Sequence, residues 1–263
     1  MATLQAPSGV PIDPHGENSA KGRKHFVPLE NNPELMTTLL HTLGLSSSLH
    51  FHDVYSISDP DLLAFVPRPA YALLLVFPVS QAYQTHRNEE DKGKQEYEGH
   101  GEEEDVVWYK QTIGNACGLI GLLHAVSNGT ARNRITAGSD LDTFVKTAVV
   151  LKPADRAILV EETPALAKAH ADAASKGDTP APQATDLIDL HYVCFVKDAK
   201  RGHLWEMDGM RKGPLDRGSL EEEEDVLSER GLDLGVRAFL KREESSGGGE
   251  LRFSLIVLAE GFE

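Results

Sequence analysis

The stretch "QTIGNACGLIGLLHAVSN", residues 111–128, sets a single cysteine between a polar "GN" turn and a run that reads as a buried helix. A small buried thiol is a common core residue, so Cys117 gains chemical meaning only from what surrounds it. Two features favour reactivity. The upstream segment "VVWYKQT", rich in β-branched and aromatic residues, predicts a strand that delivers the chain through a tight turn into the helix. A cysteine at a helix N-terminus also meets unpaired N–H groups and the positive end of the helix dipole, which favour the thiolate. Gly118 and Gly121 share one helical face and permit close approach, although helix packing alone would explain them.

Two histidines compete as the base. His124 returns to the face of Cys117 but about 10 Å along the axis, too far for proton transfer, and reads as a packing residue. His191 opens "HYVCFV", where alternation sets His191, Val193 and Phe195 on one face and Tyr192, Cys194 and Val196 on the other. Cys194 is therefore expected as a core thiol, and His191 remains free to meet a nucleophile from elsewhere. Asp208, in "HLWEMDG" 17 residues further on, fits the end of a neighbouring antiparallel strand. There a carboxylate can orient the imidazole and stabilise its cation. Gln111, six residues before Cys117, can offer its amide to the oxygen of a tetrahedral intermediate, together with the Cys117 N–H. These residues predict a Cys-His-Asp hydrolase or acyltransferase.

The remaining chain bounds this reading. With 263 residues and 40% apolar content, one sizeable core is expected. Against 41 acidic residues stand 26 basic ones, and the net charge of -15 repels nucleic acid and anionic membrane while attracting a basic protein surface. Two cysteines and a polar N-terminus predict a reducing compartment, and the apolar run "AYALLLVFPV" is too short to span a bilayer. Residues 1–24 read as a disordered tail and 25–263 as one domain. "PELMTTLLHTLG" predicts a helix capped by Asn32 and stopped by Gly44, and "DPDLLAFV" repeats the logic from Asp59. "AYALLLVF" reads as a central strand, "SDLDTFVKTAVVL" as a helix, and "HYVCFV", "HLWEMDG" and "LRFSLIVLA" as further strands. Residues 86–105 are expected as a solvated loop, 163–189 as a long loop, and 218–244, with "EEEED", as an acidic helical segment.

The motifs "QTIGNACGLIGLLHAV", "DLHYVCFV" and "HLWEMDG" closely resemble those of the ubiquitin carboxyl-terminal hydrolase family. The likeness extends over "FVPLENNPELMTTLLHTLGL", "FHDVYSISDPDLLAFVPRPAYALLLVFP" and the final strand, nearly everything from residue 25 onward. It implies an α+β fold similar to papain-like cysteine proteases: a central antiparallel sheet flanked by helices, with a knotted backbone. It implies Cys117 as nucleophile, His191 as general base and acid, Asp208 as its orienting partner, Gln111 as oxyanion donor, and no cofactor or metal. By the same resemblance residues 163–189 form a crossover loop above the active site, and Glu30 and Asp53 face the basic C-terminal tail of ubiquitin. The implied enzyme is a monomeric, cytoplasmic and also nuclear deubiquitinase of the compact branch, acting on small adducts of ubiquitin and of NEDD8-like modifiers.

Overall fold

The computed structural model describes residues 24–179, 182–186, 189–245 and 253–262. The tail predicted over 1–24 lies outside them except for Lys24. That residue is tied down: its carbonyl accepts from Gly114 N–H at 2.9 Å and its ammonium donates to the Glu161 carbonyl at 2.7 Å.

Six strands form one antiparallel sheet: β1 (Leu49–Asp53), β2 (Ala72–Pro78), β3 (Leu190–Lys197), β4 (His203–Met207), β5 (Leu215–Ser219) and β6 (Ser254–Glu260), in the order β1-β6-β2-β3-β4-β5. β2 is buried at every position, as a central strand with both faces covered must be. The helices are α1 (Pro33–Leu43), α2 (Pro60–Leu63), α3 (Gln81–Asp91), α4 (Cys117–Ser127), α5 (Asp140–Val150), α6 (Pro153–Glu162), α7 (Pro164–Ala174), α8 (Glu229–Leu234) and α9 (Val236–Ser245). Each sheet face carries its own core. One packs α1, α4 and α5 against Leu74, Tyr192 and Cys194; the other packs Tyr83, Leu232 and Phe239 against Leu73, Val193 and Phe195. The alternation along "HYVCFV" thus divides the two cores as its period of two requires.

α1 has the predicted ends: the Asn32 side chain accepts from Glu34 and Leu35 N–H, and Gly44 sits at φ 116° as a left-handed stop. Four expectations need correction. "VVWYKQT" is buried over residues 106–109 but joins no strand, because side chains satisfy its backbone there. Asn128 brackets both backbone groups of Val107 at 2.7 and 3.0 Å, His124 Nε2 accepts from Tyr109 N–H at 2.9 Å, and Arg156 donates to the Trp108 carbonyl at 3.2 Å. Apolar, β-branched composition marks burial; it does not specify which partner takes the hydrogen bonds.

The expected loop at 86–105 begins inside α3, whose N-cap Ser80 lies upstream of the charged run. Its acids are not merely solvated: Glu104 pairs with the fully buried Arg156, and Asp91 with the buried Arg211 at 3.1 Å. The loop expected from Thr163 is helical to Ala174, since Thr163-Pro164 starts α7 and its Ala-rich sequence favours helix. Only the described residues after α7 remain as the strap. "EEEED" is a turn before α8: the carbonyls of Glu221, Glu222 and Glu224 converge on the Lys197 ammonium at 2.6 to 3.0 Å.

Candidate active site

α4 begins at Cys117, and its other ten residues are all buried. Ala116 at the N-cap provides no side-chain acceptor, so no side chain of the cap competes for the first N–H groups of the helix. An anionic sulfur, or the oxygen of a bound carbonyl, can use them. Asn115 makes the turn at φ 57°, a conformation Asn tolerates better than most residues, and packing uses the two glycines. A Cβ on Gly118 would lie 3.2 Å from Leu29 Cβ, and one on Gly121 would lie 3.4 Å from Leu74 Cδ2.

β3 and β4 are antiparallel neighbours, and this places Asp208 just beyond β4 against the first turn of β3. His191 Nε2 donates to Asp208 Oδ1 at 2.7 Å, leaving Nδ1 for the Cys117 thiol, which lies near enough to act on the imidazole. Both side chains are essentially closed to water. Burial by itself disfavours the imidazolium, but the charge and hydrogen bond of Asp208, with Cys117 adding in the same sense, outweigh it and lift His191 to about 9. Burial also opposes the Asp208 carboxylate; the His191 charge, Arg211 and the Tyr83 hydroxyl overcome it and hold Asp208 well below the carboxylate range. Each charge favours the other, so an imidazole that takes the thiol proton is held as the cation.

Gln111 is 7% exposed, and its backbone N–H donates to the Gly209 carbonyl at 2.8 Å, which ties this segment to the Asp208 turn. Its Nε2 donates to the Ile113 carbonyl at 3.3 Å; a primary amide has a second N–H to give. Glu30 lines a cleft of about 640 Å³ with Cys117, Asn115, Tyr192 and Phe253. Its carboxylate accepts from both the N–H and the hydroxyl of Thr179, at 3.2 and 3.0 Å. On the strap's other limb, Asn115 Nδ2 donates to the carbonyls of Ala184 and Asp186, at 2.9 and 3.1 Å. Asp53 is exposed at the end of β1 and does not line this cleft.

Cys194 is fully buried among the sheet residues, and burial pushes its thiol far up. His124 is the packing histidine expected: burial drives it down to about 3, so it stays neutral and accepts from Tyr109 N–H. Sequence reasoning missed Asn115, Tyr83 and Arg211. The first carried a weak signal, an Asn immediately before a helix start; Tyr83 carried none, since Asp208 lies 125 residues away, and the partners that bury the Arg211 guanidinium, Glu90 and Asp91, are equally remote in sequence. Among the described residues no group of three or more His, Cys, Asp or Glu is placed to hold a metal ion, and no helix is long and apolar enough to cross a membrane.

The family model described as ubiquitin carboxyl-terminal hydrolase, family 1 matches residues 26–237. The chain belongs to this family. Ubiquitin carboxyl-terminal hydrolase 3 of Arabidopsis thaliana is 34% identical, over 92% of this chain and 97% of the relative. Ubiquitin carboxyl-terminal hydrolase YUH1 of Saccharomyces cerevisiae is 33% identical, over 94% and 99%. Isozyme L1 of Monodelphis domestica is 36% identical, over 89% and 97%. In fold, the chain is similar to the UCH37 catalytic domain of Trichinella spiralis, solved bound to ubiquitin vinyl methyl ester. The TM-score is 0.69 at 18% identity, with 91% of this chain and 97% of that one covered. The α+β architecture, a papain-like antiparallel sheet flanked by helices, is that of the family.

Proposed function

We infer that the chain is a cysteine-type deubiquitinating hydrolase that removes small adducts or short peptides from the C-terminal glycine of ubiquitin. The observation that carries the mechanism is the 2.7 Å His191–Asp208 pair beside Cys117 at an uncapped helix start. The Cys117 thiol gives its proton to His191 as the sulfur attacks the terminal carbonyl. The oxyanion then takes hydrogen bonds from the Cys117 backbone N–H and the second N–H of Gln111 Nε2. The His191 imidazolium gives its proton to the leaving amine, alcohol or thiol as the C–N, C–O or C–S bond breaks. A thioester to Cys117 remains. Water, deprotonated by His191, attacks that thioester, and proton return frees the ubiquitin carboxylate and the thiol.

Glu30 in the cleft supports recognition of a basic tail, and Asp53, exposed beyond it, is assigned to a more distant part of the same basic surface. Gly177, Thr179 and Pro182 of the strap line the Cys117 cleft, which favours slender leaving groups over folded ones. NEDD8-like modifiers, sharing a glycine-terminated basic tail, are included as substrates. All four reacting groups come from one chain, consistent with action as a monomer. The two unpaired thiols suit the reducing cytoplasm and nucleus.

The test is hydrolysis of ubiquitin, and of a NEDD8-like modifier, carrying a fluorogenic amide on the terminal glycine. Turnover by the wild type and none by Cys117→Ala is expected. Binding without turnover by the wild type would make the chain a ubiquitin-binding relative instead.

A further inference from the structure

The carboxylate of Asp208 has two oxygens, and the reaction above uses one of them. Oδ1 accepts from His191 Nε2 at 2.7 Å and from the Met210 backbone N–H at 2.9 Å. Oδ2 accepts from the phenol of Tyr83. A carboxylate held on one oxygen alone can turn about its Cβ–Cγ bond and carry Oδ1 off the imidazole, so what holds Oδ2 decides whether the pair stays aligned.

Tyr83 is built for that contact. It sits in the first turn of α3, where its N–H donates to the N-cap Ser80 hydroxyl at 2.8 Å; that hydroxyl in turn donates to Glu243 at 2.7 Å. Its ring lies edge-on to Phe77 at 4.8 Å, near Phe239 at 6.0 Å, with the Arg87 guanidinium over it at 5.7 Å. It is 1% exposed and is not among the residues lining the Cys117 cleft. Burial first, then the Asp208 charge, push its ionisation well above that of an ordinary tyrosine, so the group stays an O–H donor wherever the enzyme works.

The other neighbour of Oδ2 is Arg211, whose Nε stands 3.9 Å away while its guanidinium also answers Glu90 at 2.9 Å, Asp91 at 3.1 Å and Glu206 at 3.8 Å. A cation shared among four carboxylates balances charge without giving direction. A hydroxyl on one oxygen gives direction.

We propose that Tyr83 is a positioning residue for the hydrolysis, its hydroxyl clamping Asp208 Oδ2 so that Oδ1 stays on His191 Nε2 and the ring presents Nδ1 to Cys117. The inference rests on the role given to Asp208 above. It requires that Tyr83 act on turnover and not on substrate binding.

The experiment compares wild type, Tyr83→Phe, Asp208→Asn and protein with 3-fluorotyrosine at position 83. Steady-state kinetics use a ubiquitin C-terminal fluorogenic amide, and proton NMR follows the far-downfield ring N–H of His191. For Tyr83→Phe we expect kcat to fall about 10-fold with KM unchanged, the scale of one hydrogen bond to a charged group. The His191 resonance should broaden as Asp208 gains freedom to rotate. The fluorinated phenol is a stronger donor in the same shape. It draws charge away from Oδ1, so the resonance should stay sharp and move upfield. Wild-type kcat with an unmoved, sharp resonance in Tyr83→Phe would overturn the proposal. So would a loss of activity that the unfolded fraction accounts for in full. If Tyr83→Phe does not fold, the fluorinated protein decides: an unmoved resonance overturns the proposal. Full activity in Asp208→Asn would remove the triad reading and this inference with it, whereas a silent Tyr83→Phe beside a crippled Asp208→Asn would remove this inference alone.

Discussion

Two carboxylates of the candidate site, Asp208 bonded to His191 and Glu30 in the cleft with Cys117, are built differently. Asp208 is sealed from water and accepts from His191, Met210 N–H and Tyr83, with Arg211 behind it. Arg211 is in turn walled by Glu90, Asp91 and Glu206, and Arg217 binds Glu206 and Glu90, each at 2.8 Å. Glu30 keeps partial exposure and holds one strap residue, Thr179. A buried charge with both oxygens hydrogen-bonded is costly to disturb, while a solvent-screened hydrogen bond exchanges readily with water or with a ligand. The rear of the site therefore fixes geometry, and the front offers a carboxylate that can change partners.

The two cysteines give the sharpest contrast. Cys117→Ala should abolish turnover while ubiquitin binding is retained, because the nucleophile goes and the acidic rim stays; residual hydrolysis above background by the purified variant would break the scheme. Cys194→Ser should keep most of kcat and lose about 1–3 kcal/mol of stability from a buried hydroxyl in an apolar site, read from denaturant unfolding.

Behind the sulfur, Asp208→Asn should cut kcat by roughly 10²- to 10⁴-fold, as for removal of an orienting carboxylate. It should also move the alkaline limb of kcat/KM. Asp208 raises His191, so the imidazolium persists toward pH 9; without that charge the limb must shift to lower pH. The same linkage has a sign for stability. A proton held more tightly in the folded state than at the ordinary value of 6.5 stabilises fully below that value, and the contribution fades as pH rises toward 9. An alkaline limb that stays in place in the variant would detach Asp208 from His191.

Gln111→Ala should lower kcat by about 10²- to 10³-fold with KM little changed, the usual effect of losing one oxyanion donor. In front, Glu30→Gln should raise KM by a few-fold to about 10-fold, the range of one charge-assisted contact, and leave kcat nearly untouched. Loss in kcat with KM unchanged would place Glu30 with the rigid rear of the site and erase the contrast.

What could be read in the sequence follows the range of the interactions. α1 was legible because its signals are adjacent: Asn32 beside Pro33 and Gly44 at the end. The facing of His191 away from Cys194 was legible because alternation along a strand is local and strict. His191 and Asp208 lie close enough along the chain for two neighbouring strands to bring them together. The segment 106–109 was misread because His124, Asn128 and Arg156, not a strand, take its hydrogen bonds. α7 was misread because an Ala-rich stretch between prolines has the composition of a loop and the propensity of a helix. Tyr83 was invisible for the plainest reason: its partner is 125 residues away, and nothing in "SQAYQTH" announces a buried carboxylate.

Incubation of the protein with ubiquitin bearing a C-terminal vinyl methyl ester, followed by digestion and mass spectrometry, tests the central claim most directly. The account predicts one covalent adduct per chain, on Cys117, formed more slowly in Asp208→Asn and absent in Cys117→Ala. An adduct on Cys194, or tight binding of the probe with both thiols unmodified, would contradict it.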